Sequence, residues 1–241
     1  MRLYCDFTVR DANKLLFGLI LFELCLVLIF AADTLLGSPS LSIKQLFDLD
    51  GEGNLPAWFS SVQLFLIGLV FLLRSRQPDP DHSPSPLFLL MVSAGFIFLS
   101  ADEAASIHEK ISVLFKHVEW MPRFKGDHGL WVFIYTFIGL ILLLANFRTL
   151  ASMWNRYRHA TSIMAIGMGF VLFGVIGLEA ISYQFLRDGS TPLLYSAEVA
   201  LEEFLEMSGA SVTLYGAILL LLHDSRVENY RGENQIERSD A

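Results

Sequence analysis

The chain has 241 residues, 54% of them hydrophobic and 17% charged, and its mean hydropathy is +0.50. A soluble domain of this length does not carry so much apolar side chain, so the surplus is expected to face lipid. The balance of 17 Lys and Arg against 25 Asp and Glu gives a net charge of −8, which excludes a basic nucleic-acid footprint; phosphate-binding glycine loops, dinucleotide fingerprints and haem-attachment motifs are also absent from the sequence.

A hydrocarbon core is crossed by about 20 apolar residues. Windows near that length predict spans over Leu15–Leu35, Ala57–Leu73, Leu87–Ile107, Leu130–Ala151, Ile163–Phe185 and Leu193–Leu222. The fold class expected is therefore all-α, a polytopic bundle of six transmembrane helices. Residues 1–225 form one domain in this reading, and 226–241 a charged, disordered cytoplasmic tail. Cleavage as a signal peptide is disfavoured, because the first span is long for such a segment and Ala31-Ala32-Asp33 is a poor cleavage site.

Orientation follows from Lys and Arg, which stay on the cytoplasmic side of short loops. With the amino terminus inside, Arg2, Arg10, Lys14, Arg74, Arg76, Arg148, Arg156, Arg158, Arg226, Arg231 and Arg238 are cytoplasmic. The fewer remaining charges, Lys44, Lys110, Lys116, Arg123, Lys125 and Arg187, are external. Both termini are thus expected inside.

In chain order, Cys5 and Cys25 fall on one rising segment, too far apart to bridge. Glu23 lies near the middle of the first span. The loop after it, Asp48-Leu-Asp50-Gly-Glu52-Gly53-Asn54, opens like a calcium-binding EF-hand loop, but its twelfth position is Phe59 and not an acid. A polar turn capping the second span is the better reading, with its oxygens close enough to serve an external cluster. The second span carries Gln63.

The third span ends in Ser100-Ala-Asp102-Glu103-Ala-Ala-Ser106-Ile-His108-Glu109. Helical spacing predicts one stripe through Asp102, Ser106 and Glu109. Asp127 and His128 precede the fourth span, the fifth ends near Glu179, and the sixth begins with Tyr195, Glu198, Glu202, Glu203 and Glu206. Glu198, Glu202 and Glu206 share a face, continued by Gly209 and Thr213, while Glu103, His108 and Glu203 sit off the two stripes. In the fifth span Gly167, Gly169, Gly174 and Gly177 permit close helix packing. The four Trp lie close to span boundaries, as interfacial anchors do.

An ionisable group at membrane depth costs on the order of 2.5–3.5 kcal/mol, so these acids are expected to converge. Carboxylates so close need protons, a basic partner or a metal, and His108 is the one basic group within reach in the spans. The candidate metal ligands are Asp102, His108, Glu109, Glu179, Glu198, Glu202 and Glu206, supported by Glu103, Ser106, His128, Tyr195 and Glu203. Such a set suits Fe, Mn, Zn or Ca. Helical di-metal proteins use Glu-x-x-His pairs, which this sequence does not contain.

Phe47-Asp-Leu-Asp-Gly-Glu-Gly-Asn-Leu-Pro-Ala-Trp-Phe-Ser-Ser61, Leu99-Ser-Ala-Asp-Glu-Ala-Ala-Ser-Ile-His-Glu109 and Leu201-Glu-Glu-Phe-Leu-Glu-Met-Ser-Gly209 resemble segments of an uncharacterised family of bacterial multi-pass inner-membrane proteins. The resemblance implies the bacterial cytoplasmic membrane and no activity. Three functional readings stay open: a metal-dependent enzyme on a lipidic substrate, a proton or cation transporter, and an accessory subunit docking to a membrane-protein partner. The cytoplasmic halves of the third, fifth and sixth spans are almost wholly apolar, which argues for access from the external side alone.

Overall fold

A computed structural model describes residues 7–77, 84–124, 129–186 and 191–239, with side chains described up to His223. The described residues are helical, with no strand. The helices are α1 (Val9–Leu35), α2 (Leu41–Phe47), α3 (Leu55–Ser75), α4 (Pro86–Ala105), α5 (Ile107–Phe115), α6 (Leu130–Ala145), α7 (Phe147–Arg156), α8 (Arg158–Leu172), α9 (Glu179–Ile181) and α10 (Pro192–Ser239). Two π-helical stretches, Phe173–Leu178 and Ser182–Leu186, flank α9 and carry α8 onward.

Five helices among the described residues are long and apolar enough to cross a membrane, or six if a bent pair is counted as one span. The chain is a multi-pass membrane protein. Its bundle has two ends: Tyr195 meets Asp50 at one, where α10 begins and the α2–α3 loop lies, and Arg74 meets Tyr157 at the other. Tyr215 donates to Asn13, so the middle of α10 runs antiparallel to α1.

Helix starts follow local chemistry. Thr8 and Asp11 form a capping box on α1, Asn54 caps α3 through the Ala57 amide, and Ser85 caps α4. The predicted polar turn at 48–54 is what forms: the Asn54 side-chain amide donates to the Asp48 and Gly51 carbonyls, both at 2.6 Å. Among the pairings, α3 with α4 and α8 with α10 are the most extensive. Small residues set both. A Cβ on Gly167 would stand 2.6 Å from the Gly209 carbonyl, and one on Gly68 would stand 3.0 Å from the Ser93 carbonyl, so neither pair of backbones tolerates a side chain between them. Gly174 packs against Glu206 in the same way, whereas Gly169 faces open space and Gly177 meets Phe173 of its own helix.

Two expectations are corrected. The fourth span is not one helix over Leu130–Ala151: α6 stops at Ala145 and α7 leaves it at 68°. Asn146 is the reason, since its side-chain amide donates to the Leu142 carbonyl at 2.8 Å and its backbone departs from helical geometry. The α7 segment is amphipathic, with Met153 and Leu150 against the core and Arg148 and Asn155 exposed. The third span likewise ends early. Ser106 takes left-handed geometry at φ 51, ψ 45, which separates α4 from α5 and breaks the stripe expected through Asp102, Ser106 and Glu109. The α10 backbone continues as helix to Ser239, past the expected span end at Leu222.

Candidate functional site

The break at Ser106 builds the first part of the site. Asp102, buried in the last turn of α4, accepts the His108 backbone amide at 2.7 Å and so caps α5 from outside that helix. The turn folds the His108 ring back over the carboxylate, with Nδ1 3.4 Å from Asp102 Oδ2. On the other edge of the ring, Nε2 lies 3.2 Å from Glu52 Oε1. Trp131 of α6 covers the ring at a centroid distance of 4.8 Å and Tyr135 stacks edge-on behind it. Trp131, at the start of α6, is therefore also a wall of the site.

A carboxylate on each edge of the imidazole sets its charge. Burial opposes protonation of His108, but the hydrogen bond to Asp102 and the charges of Asp102, Glu52 and Glu103 outweigh it and hold the ring above the usual histidine range. Glu52 is raised in turn, chiefly by burial and then by the neighbouring Glu109. Glu109 itself is exposed.

The remaining acids form a column down α10. Glu202 lies within charge–charge range of Glu179, Glu206, Glu203 and Glu198, so five of the expected residues, on α9 and α10, come together. Glu206 fits the Gly174 notch in the π-helical stretch, whose extra residue in the turn carries Glu179 alongside. Glu203 lies between the two groups, near Glu103, Asp50 and Glu52 on one side and Glu179 and Glu206 on the other. It joins the α10 column to the His108 cluster. Tyr195 donates to Asp50 Oδ1 at 2.7 Å and ties the 48–54 turn to the start of α10. His128 lies outside the described residues.

Below the column is a second site. Glu23 of α1 is fully buried; its Oε1 accepts from Gln63 Nε2 at 2.9 Å and from Ser211 Oγ at 2.6 Å. Gln63 also donates to the Met207 carbonyl at 3.1 Å. Glu23 Oε2 and Gln63 Oε1 are buried with no hydrogen-bond partner among the described residues. Glu203, Met207 and Ser211 share one α10 face by their spacing, and this face, at right angles to the Glu198–Glu206 stripe, points at α1 and α3. Ser211 was missed in the sequence for that reason: serine in an apolar helix carries no signal until its neighbours are known.

The metal set expected from the sequence finds no support in this geometry. Among the described residues, no three His, Cys, Asp or Glu side chains are disposed to hold one ion. The physical cause at His108 is plain: its two nitrogens face different carboxylates on opposite edges of the ring, so the three groups do not converge on a point.

These features define an all-helical multi-pass membrane protein with a carboxylate-rich site at one end and a buried Glu–Gln–Ser group at mid-depth. The chain belongs to the family described as domain of unknown function DUF8692, whose model matches residues 19–221 and so spans every site residue from Glu23 to Ser211. No curated protein matches the chain, and no solved structure does.

Proposed function

We propose that this protein handles protons or small cations, taking them up through the acidic end of the bundle and holding them at Glu23. Glu23 carries the reading: a fully buried carboxylate whose hydrogen-bonding side chains are neutral, with one oxygen unpartnered among the described residues. A buried charge left in that state is costly, so a bound proton or cation is the natural complement. The column from Glu52 and His108 through Glu203 and Glu206 supplies the approach.

Access is one-sided. Beyond Ser211 the interior is mainly apolar, with Ile67, Phe71, Leu214 and Leu220 buried in one cluster; the hydroxyls of Ser93, Thr161 and Thr213 and the Arg74 side chain are polar groups buried there as well. Between Glu203 and Ser211 lie two helical turns, about 12 Å, filled by the fully buried Met207. Transfer is accordingly gated there and not continuous, which suits a transporter better than an open channel. In this reading the protein sits in a bacterial cytoplasmic membrane with six spans and both termini inside, so that the acids face outward.

The test is flux in liposomes containing the purified protein and an internal pH or cation dye, under an imposed potential. Wild type is expected to move protons, Na+ or K+, the folded Glu23→Gln variant to lose most of that flux, and Glu109→Gln, at an exposed position, to keep it. Full flux in Glu23→Gln, or none in wild type, overturns the reading. Stoichiometric Fe, Mn, Zn or Ca in protein from metal-replete cells would move it to the metal-dependent enzyme acting on a lipidic substrate.

A further inference from the structure

The opposite end of the bundle carries a cavity of about 310 Å³ between α7, α8 and α10. Arg156, Arg158, His159 and His223 line it, Leu219 and Leu222 form an apolar side, and no Asp or Glu lines it among the described residues.

The basic wall is held by Tyr157, the residue between α7 and α8. Residues two apart on a helix do not face each other, yet Arg156 and Arg158 share this cavity. Tyr157 makes that possible by leaving helical geometry at φ −119, ψ 41. Its ring is buried and fixed from three directions. Arg74 Nη2 donates to its hydroxyl at 3.2 Å, the Arg156 guanidinium lies 5.4 Å from the ring centroid, and His223 meets the ring edge-on at 5.2 Å. A guanidinium held over an aromatic face carries its N–H donors on its edge, the geometry that grips phosphate in pairs.

We propose that this cavity binds the phosphate headgroup of an anionic phospholipid, with Arg156 and Arg158 on the phosphate and the acyl chains running along Leu219 and Leu222. A lipid fits better than a free anion because α7, which ends at the cavity with Arg156, is amphipathic and leaves Phe147 and Trp154 exposed along its length, as residues in an acyl or headgroup layer would be. Basic pockets between membrane helices are where such headgroups are recognised. The proposal is independent of ion handling at the other end.

Thermal unfolding of the detergent-purified protein, titrated with phosphatidylglycerol, phosphatidylcholine or inorganic phosphate, tests it. Phosphatidylglycerol is expected to raise the melting temperature saturably while the other two do not, and Arg158→Gln is expected to weaken that response about tenfold. Arg158 is exposed and does not hold Tyr157 in place, so this variant should fold; the double variant Arg156→Gln with Arg158→Gln should lose the response altogether. Native mass spectrometry should find phosphatidylglycerol retained by wild type and not by the double variant. An equal shift with phosphatidylcholine, an unchanged response in Arg158→Gln, or a shift reproduced by inorganic phosphate alone overturns the lipid assignment.

Discussion

At the scale of single residues, His108 shows how one backbone angle assembles a charge cluster. Had Ser106 continued α4, the ring would project a turn away from Asp102, and Glu52 would have no partner there. Because the ring is held above the usual histidine range, its protonated form stabilises the fold fully below the unfolded value. That stability is lost as pH rises through the folded value. Glu52 adds the same sign, since a raised carboxyl also favours the folded state at lower pH and loses that contribution as pH rises. Stability in detergent, read as the melting temperature, should therefore fall as pH rises above the ordinary carboxylate and then the ordinary histidine range, the histidine part being on the order of 1.5–3 kcal/mol for a charge-assisted pair. His108→Gln should flatten the profile over that range. A variant with the wild-type slope would mean that another group titrates.

At the scale of elements, the α8–α10 contact depends on glycine where backbones meet and not where glycine merely occurs. A Cβ on Gly167 would stand 2.5 Å from Thr213 Oγ1 and 2.6 Å from the Gly209 carbonyl, and backbone cannot swing aside. Gly167→Ala should cost about 1–3 kcal/mol by overpacking, read as a lower melting temperature. Gly169→Ala, which meets nothing within 4 Å, should be neutral or slightly stabilising. Similar losses in both would show that helix flexibility, not close approach, is what these glycines supply. The contact also positions the site, because Gly174 sits against Glu206 and the π-helical turn beside it brings Glu179 to the column.

For the whole molecule, the two ends carry opposite chemistry: carboxylates gather where α10 begins, and Arg74, Arg76, Arg156 and Arg158 gather where α3 ends and α8 begins. Lys and Arg retained inside orient a bundle, so reporter fusions after Arg76, at Arg156 and at the carboxyl terminus should all read cytoplasmic, and fusions in the 48–54 turn external. Val9 and His223 line one cavity, so both ends of the bundle's chain share a side, and a periplasmic carboxyl terminus would mean that the whole bundle is inverted. The polar groups would then open to the cytoplasm.

What the sequence by itself determined is whatever composition and period can encode: a multi-pass helical bundle, the approximate place of its apolar segments, the Asn54-capped turn, and the gathering of acids toward one end. Apolar runs and caps are local, so they are readable without neighbours. The bend at Asn146 and the break at Ser106 were not readable, because each lies in a segment whose hydropathy continues smoothly while a side chain or a left-handed backbone ends the helix. Those two breaks put His108 between Asp102 and Glu52 and laid α7 at an angle to α6. The pairing of Glu23 with Gln63 and Ser211 was likewise decided only by tertiary structure. It joins three helices across most of the chain's length, and no periodicity within any one of them records which face of its neighbour it meets.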